Sequence, residues 1–257
     1  MNVSFIGSGN VAWHLAPAFD NTEFAVREIY SRQTKNAQAL VQRLYAARIQ
    51  QTLDFSLSES EIFIISATDD AIEDIVGELI LPEDAMLIHT SGSHPLHILD
   101  DAAAKRTGVF YPLQTFTKSR KIDFEGIPVF IESESADAEN ILLRMAKAIT
   151  KKVYRISSGQ RVSLHVAAVF ASNFTNHMLT ISHDILLKNK LDFEWLKPLI
   201  AETINKSLTL GPETSQTGPA KRSDLEVLDR HMALLQENEP LTEMYRVISQ
   251  HIIDRYS

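Results

Sequence analysis

A short apolar run at residues 3–6 passes without a break into Gly7-Ser8-Gly9-Asn10-Val11-Ala12. The hexapeptide fits G-x-G-x-x-[GA], and it stands where that pattern has a physical meaning, between the end of a strand and the start of a helix. Gly7 permits the tight turn, Gly9 lets the backbone approach a pyrophosphate, and Ala12 allows close packing of helix on strand. Exposed N–H groups and the positive end of the helix dipole favour phosphate at that point. Gly7, Ser8, Gly9, Asn10 and Val11 are therefore the expected cradle of a dinucleotide within a βαβ unit. Pro17 falls inside the helical pattern at 11–19, where it removes a backbone donor and is expected to kink or end the helix early.

The second expected strand ends at Tyr30, followed by Ser31-Arg32-Gln33-Thr34-Lys35. An NAD site usually places Asp or Glu here, to accept hydrogen bonds from the ribose hydroxyls. Glu28 comes too early in the strand for that role. Arg32, 23 positions beyond Gly9, stands instead where a guanidinium can grip a 2′-phosphate through paired hydrogen bonds. Ser31 and Arg32 thus tip the expected cofactor toward NADP(H). The alternative for Arg32 is a solvated loop residue.

Apolar runs at 3–6, 25–30, 62–66, 86–89, 109–111, 129–131 and 153–156 read as strands, with helical patterns at 11–19, 36–46, 71–79 and 136–149 between several of them. Such alternation implies βαβ units and a mostly parallel sheet. Ile62-Phe63-Ile64-Ile65 has no polar alternation, as in a strand covered on both faces. Past residue 157 only helical patterns follow, at roughly 160–188, 193–209, 224–236 and 240–255. The expected fold class is α/β: an N-terminal Rossmann-type doubly wound sheet at residues 1–156, followed by an all-α C-terminal domain at 157–257.

With 44% apolar residues in a 257-residue chain there is material for a substantial core. The net charge of −8 argues against a nucleic-acid partner, which would call for a basic stripe. Lys118, Arg120 and Lys121 form a tight basic cluster that reads as a solvated loop. The chain has no cysteine, which removes thiolate chemistry and fits a reducing compartment. No charged leader precedes the first strand and no apolar run is long enough to span a bilayer, so a cytoplasmic protein without membrane contact is expected. No metal-binding, P-loop or GxSxG pattern occurs, so no metal site is expected.

Two regions supply candidates for the chemistry. Along residues 162–187 an apolar helical pattern, expected to be central and buried, carries His165, Ser172, Asn173, Asn176, Thr180 and His183 mostly three or four positions apart. Such a polar stripe makes either a wet cleft or an inter-subunit hydrogen-bond network. In the first case Asn173, Asn176 and His165 face nicotinamide and substrate. Further on, Thr217, Lys221, Arg222 and Asp224 lie in a compact turn. Ser223-Asp224-Leu225-Glu226 reads as a capping box. Arg222 could receive a substrate carboxylate. Asp224 and His231, seven apart, share a helical face on which His231 could act as a general acid. At the strand ends, where α/β sheets bind ligands, Ala67, Thr68 and Ser91 are expected near the cofactor. Gln114 and Thr115 are expected near cofactor or substrate.

The glycine loop together with His89-Thr90-Ser91-Gly92-Ser93, Tyr111-Pro112-Leu113-Gln114-Thr115-Phe116, residues 165–174, Leu210-Gly211-Pro212 and Thr217-Gly218-Pro219-Ala220 resembles a bacterial family with a Rossmann-like N-terminal domain and a helical domain labelled domain of unknown function 2520. The layout is also similar to pyrroline-5-carboxylate reductase and, more distantly, to 6-phosphogluconate and 3-hydroxyisobutyrate dehydrogenases. The resemblance implies an NADP-linked reductase, dimerising through its helical domain, with its site in an interdomain cleft. Two departures matter. The hydroxyisobutyrate class uses a lysine four residues before the interdomain asparagine, and here Val169 holds that place before Asn173. The signature segments of the proline-forming reductase are absent too. The expectation is an NADP-dependent oxidoreductase acting on a small keto, imino or hydroxy acid, with Asn173, His165 and His231 as catalytic candidates and Gln114, Asn176, Thr217 and Arg222 as substrate contacts. The alternative is a non-catalytic NADP-binding sensor or scaffold.

Overall fold

The computed structural model describes residues 1–256. Contacts divide the chain into two compact units, Met1–Asn176 and His177–Ser257.

The first unit is built on one eight-stranded sheet. Its strands are β1 (Asn2–Ile6), β2 (Ala25–Tyr30), β3 (Arg48–Gln50), β4 (Ile62–Ile65), β5 (Met86–His89), β6 (Arg106–Pro112), β7 (Val129–Glu132) and β8 (Val153–Arg155), in the order 3-2-1-4-5-6-7-8. The first six are parallel, β7 is antiparallel to β6, and β8 is parallel to β7. Helices α1 (Asn10–Asp20), α2 (Thr34–Val41), α3 (Ile72–Glu78) and α4 (Ala136–Ile149) are interleaved with the strands. This is the expected doubly wound sheet. Its direction of winding reverses between β1 and β4, and such a switch point leaves a crevice beyond the strand ends.

Both faces of the sheet are covered, as the unbroken apolar run of β4 demands. All four β4 residues are buried. Ile62 and Ile64 pack with Phe19 and Leu142, while Phe63 and Ile65 pack with Phe55, Ile75 and Leu99. Phe19 of α1 meets the rings of Phe5, Phe24 and Phe110 at centroid distances of 6.5, 5.9 and 5.5 Å. Each fully buried side chain of this size contributes roughly 1.5–3 kcal/mol, so α1 is held firmly against β1.

Three local expectations are corrected. α1 runs through Pro17 to Asp20, so of the two expected outcomes the early ending does not occur. The proline leaves the Trp13 carbonyl without its helical partner, and the Arg43 guanidinium donates to that carbonyl instead. The second helix stops at Val41 rather than continuing to 46, and the chain then enters β3. That strand, Arg48-Ile49-Gln50, is too short and polar for any periodicity to reveal.

The third correction concerns α5 (Ser158–Ala168), which opens on a Ser157–Gln160 capping box and leads into a π-helical stretch, Val169–Phe174. It is not a buried helix within this chain. Only Arg161 is buried among its described residues, while Val162, Val166, Phe170 and Phe174 are 38, 51, 64 and 47% exposed.

The second unit is helical: the run α6 (Thr175–Lys188) leads into it, followed by α7 (Lys197–Leu210), α8 (Pro212–Ser215), α9 (Leu225–Leu235) and α10 (Glu239–Tyr256). α9 is capped by Asp224, whose side chain accepts from the Val227 N–H, and Ser223 sits one residue earlier in the left-handed region at φ 54°. The capping position therefore falls one residue later than the sequence pattern suggests. Among the described residues no helix is long and apolar enough to cross a membrane.

Candidate functional site

The turn after β1 can only be glycine at its first position. Gly7 has φ 118°, and a Cβ there would lie 2.2 Å from the Ser66 carbonyl oxygen on β4's C-terminal side. The loop is tied to the end of β2 by the Gly7 N–H donating to the Tyr30 carbonyl at 2.8 Å and by a 2.9 Å hydrogen bond between Ser8 and Ser31 hydroxyls. Gly9 is the N-cap of α1, and no side chain caps the helix. The first-turn N–H groups thus keep their capacity for an anion.

These residues line a cavity of about 610 Å³, together with Ser31, Arg32, Asn36, Ala67, Thr68 and Lys118. No carboxylate is among its lining residues. Glu28 is engaged below it. Burial works against its charge, but hydrogen bonds from Ser58, Arg48 and Ser4 outweigh this and hold its pKa below the ordinary carboxylate value. Arg48 and Ser4 donate at 2.8 Å each. The donor set of the cavity (backbone N–H groups, hydroxyls, amides and cations) fits a phosphorylated dinucleotide.

The basic cluster at 118–121 is exposed, as expected of a solvated loop, and one of its members also borders this cavity. Lys118 lines this cavity, with Nζ 4.9 Å from the Trp13 ring centroid. Sequence alone treats it as a solvated loop residue, since nothing local shows that the loop lies against α1.

A second cavity, about 700 Å³, shares Asn10 and Val11 with the first. Gln114 and Thr115 line it from the segment after β6, His165 from α5, and Ser172 and Asn173 from the π-helical stretch. Widened turns of this kind expose polar groups and recur at functional sites. The His165 imidazole shares a 3.0 Å hydrogen bond, through Nδ1, with the Tyr111 hydroxyl, and the rings meet edge to face. Burial pushes the Tyr111 phenol pKa up, so it stays protonated at neutral pH. In the sequence Tyr111 stands out only as part of a motif, and its pairing with a histidine far along the chain leaves no local signal.

Arg161 was missed altogether. It is fully buried. One terminal nitrogen donates to the carbonyls of Ser91 and His94 at 3.0 and 2.6 Å, and the other to Glu132 at 2.8 Å and Ser158 at 3.2 Å. It clamps the loop after β5 against α5 and β7. The buried His89 beside it has its pKa pushed down to about 3, mainly by burial and then by the Arg161 charge. It is therefore a neutral imidazole, accepting the Ser91 N–H at 3.1 Å.

The remaining expected contacts have partners or surroundings of their own. The Ser91 hydroxyl accepts the N–H groups of Ser93 and His94 at 3.0 Å each, closing the turn, and lines neither cavity. Asn176 is not among the lining residues of the second cavity, and Asn176 and Thr180 are engaged in interactions of their own. His183 contacts Asp184 and the Phe193 ring. Within the second unit, His231 bonds Tyr245 at 2.7 Å and Asp224 caps α9. Thr217 borders an apolar cavity of about 280 Å³ with Met178, Leu228 and Tyr245, and Arg222 is an exposed residue ending a short 3₁₀ turn.

The model of a family described as a domain of unknown function (DUF2520) matches residues 127–252. A Bacteroides fragilis protein provisionally named an NADP oxidoreductase is 36% identical, with a TM-score of 0.90 and 98% of each chain covered. Two more distant structures share the fold. A reductive aminase from Aspergillus terreus, solved with NADPH and ethyl levulinate, is 14% identical with a TM-score of 0.71, covering 99% of this chain and 94% of its own. A 1-pyrroline-5-carboxylate reductase from Streptococcus pyogenes is 12% identical with a TM-score of 0.62, covering 100% and 98%. A comparison with the curated proteins finds no match. With a relative 36% identical along nearly its whole length and the family model matching its C-terminal half, the chain belongs to the DUF2520 family.

Proposed function

We propose that the protein is an NADP(H)-dependent oxidoreductase that moves a hydride between the cofactor and the reacting carbon of a small keto, imino or hydroxy acid. The observation that carries this reading is a pair of cavities meeting at Asn10 and Val11, the first lined by the glycine loop and Arg32 with no carboxylate. The name of the B. fragilis relative and the NADPH held by the reductive aminase point the same way.

When bound, the cofactor supplies the hydride. The chain binds and orients. Arg32 neutralises a 2′-phosphate, and the α1 N-terminus faces the pyrophosphate. Asn173 holds the substrate's oxygen or nitrogen through its amide, in a cavity where Val169 replaces the lysine of the hydroxyisobutyrate class. His165, bonded to Tyr111, holds the proton taken up by that oxygen or nitrogen during reduction. The same reading makes the protein a homodimer in which a second copy covers the apolar edge of α5 and the π-helical stretch.

Fluorescence titration with NADPH and NADH tests the cofactor. Arg32→Ala should weaken NADPH binding about tenfold or more, the worth of a charged hydrogen bond of roughly 1.5–3 kcal/mol, and leave NADH binding unchanged. Equal losses for both would sink the assignment. NADPH oxidation across a panel of keto and imino acids tests the reaction. Tight NADPH binding with no turnover, unaffected by Asn173→Ala, would make the protein a cofactor-binding sensor instead.

A further inference from the structure

We propose that Lys118 is a phosphate ligand of the bound dinucleotide, carried on a loop that also walls the second cavity. This rests on the dinucleotide reading of the first cavity.

The loop after β6 serves both cavities. Gln114, Thr115 and Phe116 line the second, and Lys118 lines the first. Between them, Thr117 is held down: buried His14 of α1 donates through Nε2 to the Thr117 carbonyl at 2.9 Å, and its ring stacks on Phe116 at 5.7 Å. The neighbouring residue of α1, Trp13, carries Lys118 over its indole. The helix whose N-terminus faces the glycine loop therefore also fixes the lysine.

The charge distribution calls for an anion. Arg43 lies 4.2 Å from the centroid of the same Trp13 ring, so two cations share one indole. Among the described residues no carboxylate forms an ion pair with Lys118 or Arg43, and none lines the cavity. A phosphate beside Lys118 relieves that excess of positive charge. Two groups of the dinucleotide offer it, the 2′-phosphate and the pyrophosphate. Because Thr117 is latched, occupation at Lys118 also steadies Gln114 and Thr115 at the second cavity.

The test is fluorescence titration of NADPH and NADH against wild type, Lys118→Ala, Lys118→Arg and Lys121→Ala. Lys118 is exposed, so its replacement leaves the core intact, and thermal melts verify this. Lys118→Ala should weaken NADPH about five- to tenfold, as for a charge-assisted hydrogen bond at a partly screened site. Lys118→Arg should stay within about twofold of wild type, since it keeps the charge. Lys121→Ala, in the same cluster but lining neither cavity, should change nothing. A loss confined to NADPH places Lys118 on the 2′-phosphate, and an equal loss with NADH places it on the pyrophosphate; either supports the proposal. Unchanged NADPH affinity in Lys118→Ala, or the same loss in Lys121→Ala, overturns it while the cofactor reading stands. Failure of wild type to bind either dinucleotide overturns both.

Discussion

An ideal Cβ on Gly92 would lie 2.4 Å from His165 Nδ1 and 3.0 Å from the Tyr111 ring. The glycine is needed there for room, since its φ is not among the positive ones. Gly92→Ala should push the imidazole aside and break the 3.0 Å bond to Tyr111. Proton transfer by a positioned side chain is worth typically 10²–10⁴-fold, so turnover should fall by about 10²-fold. On the proposed function, NADPH affinity should stay within about twofold of wild type, since one misplaced imidazole would leave phosphate contacts at the glycine loop intact. Steady-state kinetics beside a cofactor titration separates the two, and full activity in Gly92→Ala would remove His165 from the mechanism. The constraint at Gly7 was legible because its strand–turn–helix setting is local. That at Gly92 was not, because it depends on a helix far along the chain.

At the scale of elements the alternation of strand and helix was legible, since burial on both sheet faces leaves apolar runs such as β4. What was lost depended on partners. The persistence of α1 through Pro17 needs Arg43, and the placing of α5 needs Arg161, a lone arginine in a first turn with nothing beside it to mark it as buried. Arg161 bridges three elements: the loop after β5 through two carbonyls, β7 through Glu132, and α5 itself. Removing one partner of a buried ion pair costs roughly 3–5 kcal/mol, so Arg161→Met should lower the free energy of unfolding by about that amount in urea. Pairing it with Glu132→Leu should recover part of the loss, because the stranded carboxylate is then gone. A single variant as stable as wild type would show that the clamp contributes nothing.

Across the whole molecule, the change from an α/β texture to a purely helical one was plain in the sequence; of the candidates at the strand ends, Ala67 and Thr68 line the first cavity and Gln114 and Thr115 the second, while Ser91 lines neither. The polar stripe was only partly legible. His165, Ser172 and Asn173 do line one cavity, but the π-helical stretch interrupts the 3.6-residue spacing on which the rest of the stripe was read. The apolar pattern of that same stretch is real, yet this chain leaves it largely exposed. Phe170 and Phe174, with ring centroids 4.9 Å apart, remain 64 and 47% exposed beside Val162 and Val166. Covering such residues is worth roughly 1.5–3 kcal/mol each, and paired aromatics are frequent anchors of interfaces. A second copy presents the same strip, which is the requirement of a two-fold contact. Sedimentation velocity should therefore find wild type as a dimer at micromolar concentration. Phe170→Glu combined with Phe174→Glu should shift it to monomer, because two charges would have to be buried without partners. Circular dichroism should be unchanged, since neither ring belongs to the core of its own chain. A monomeric wild type would leave this strip as ordinary exposed surface and remove the second copy from the proposed assembly.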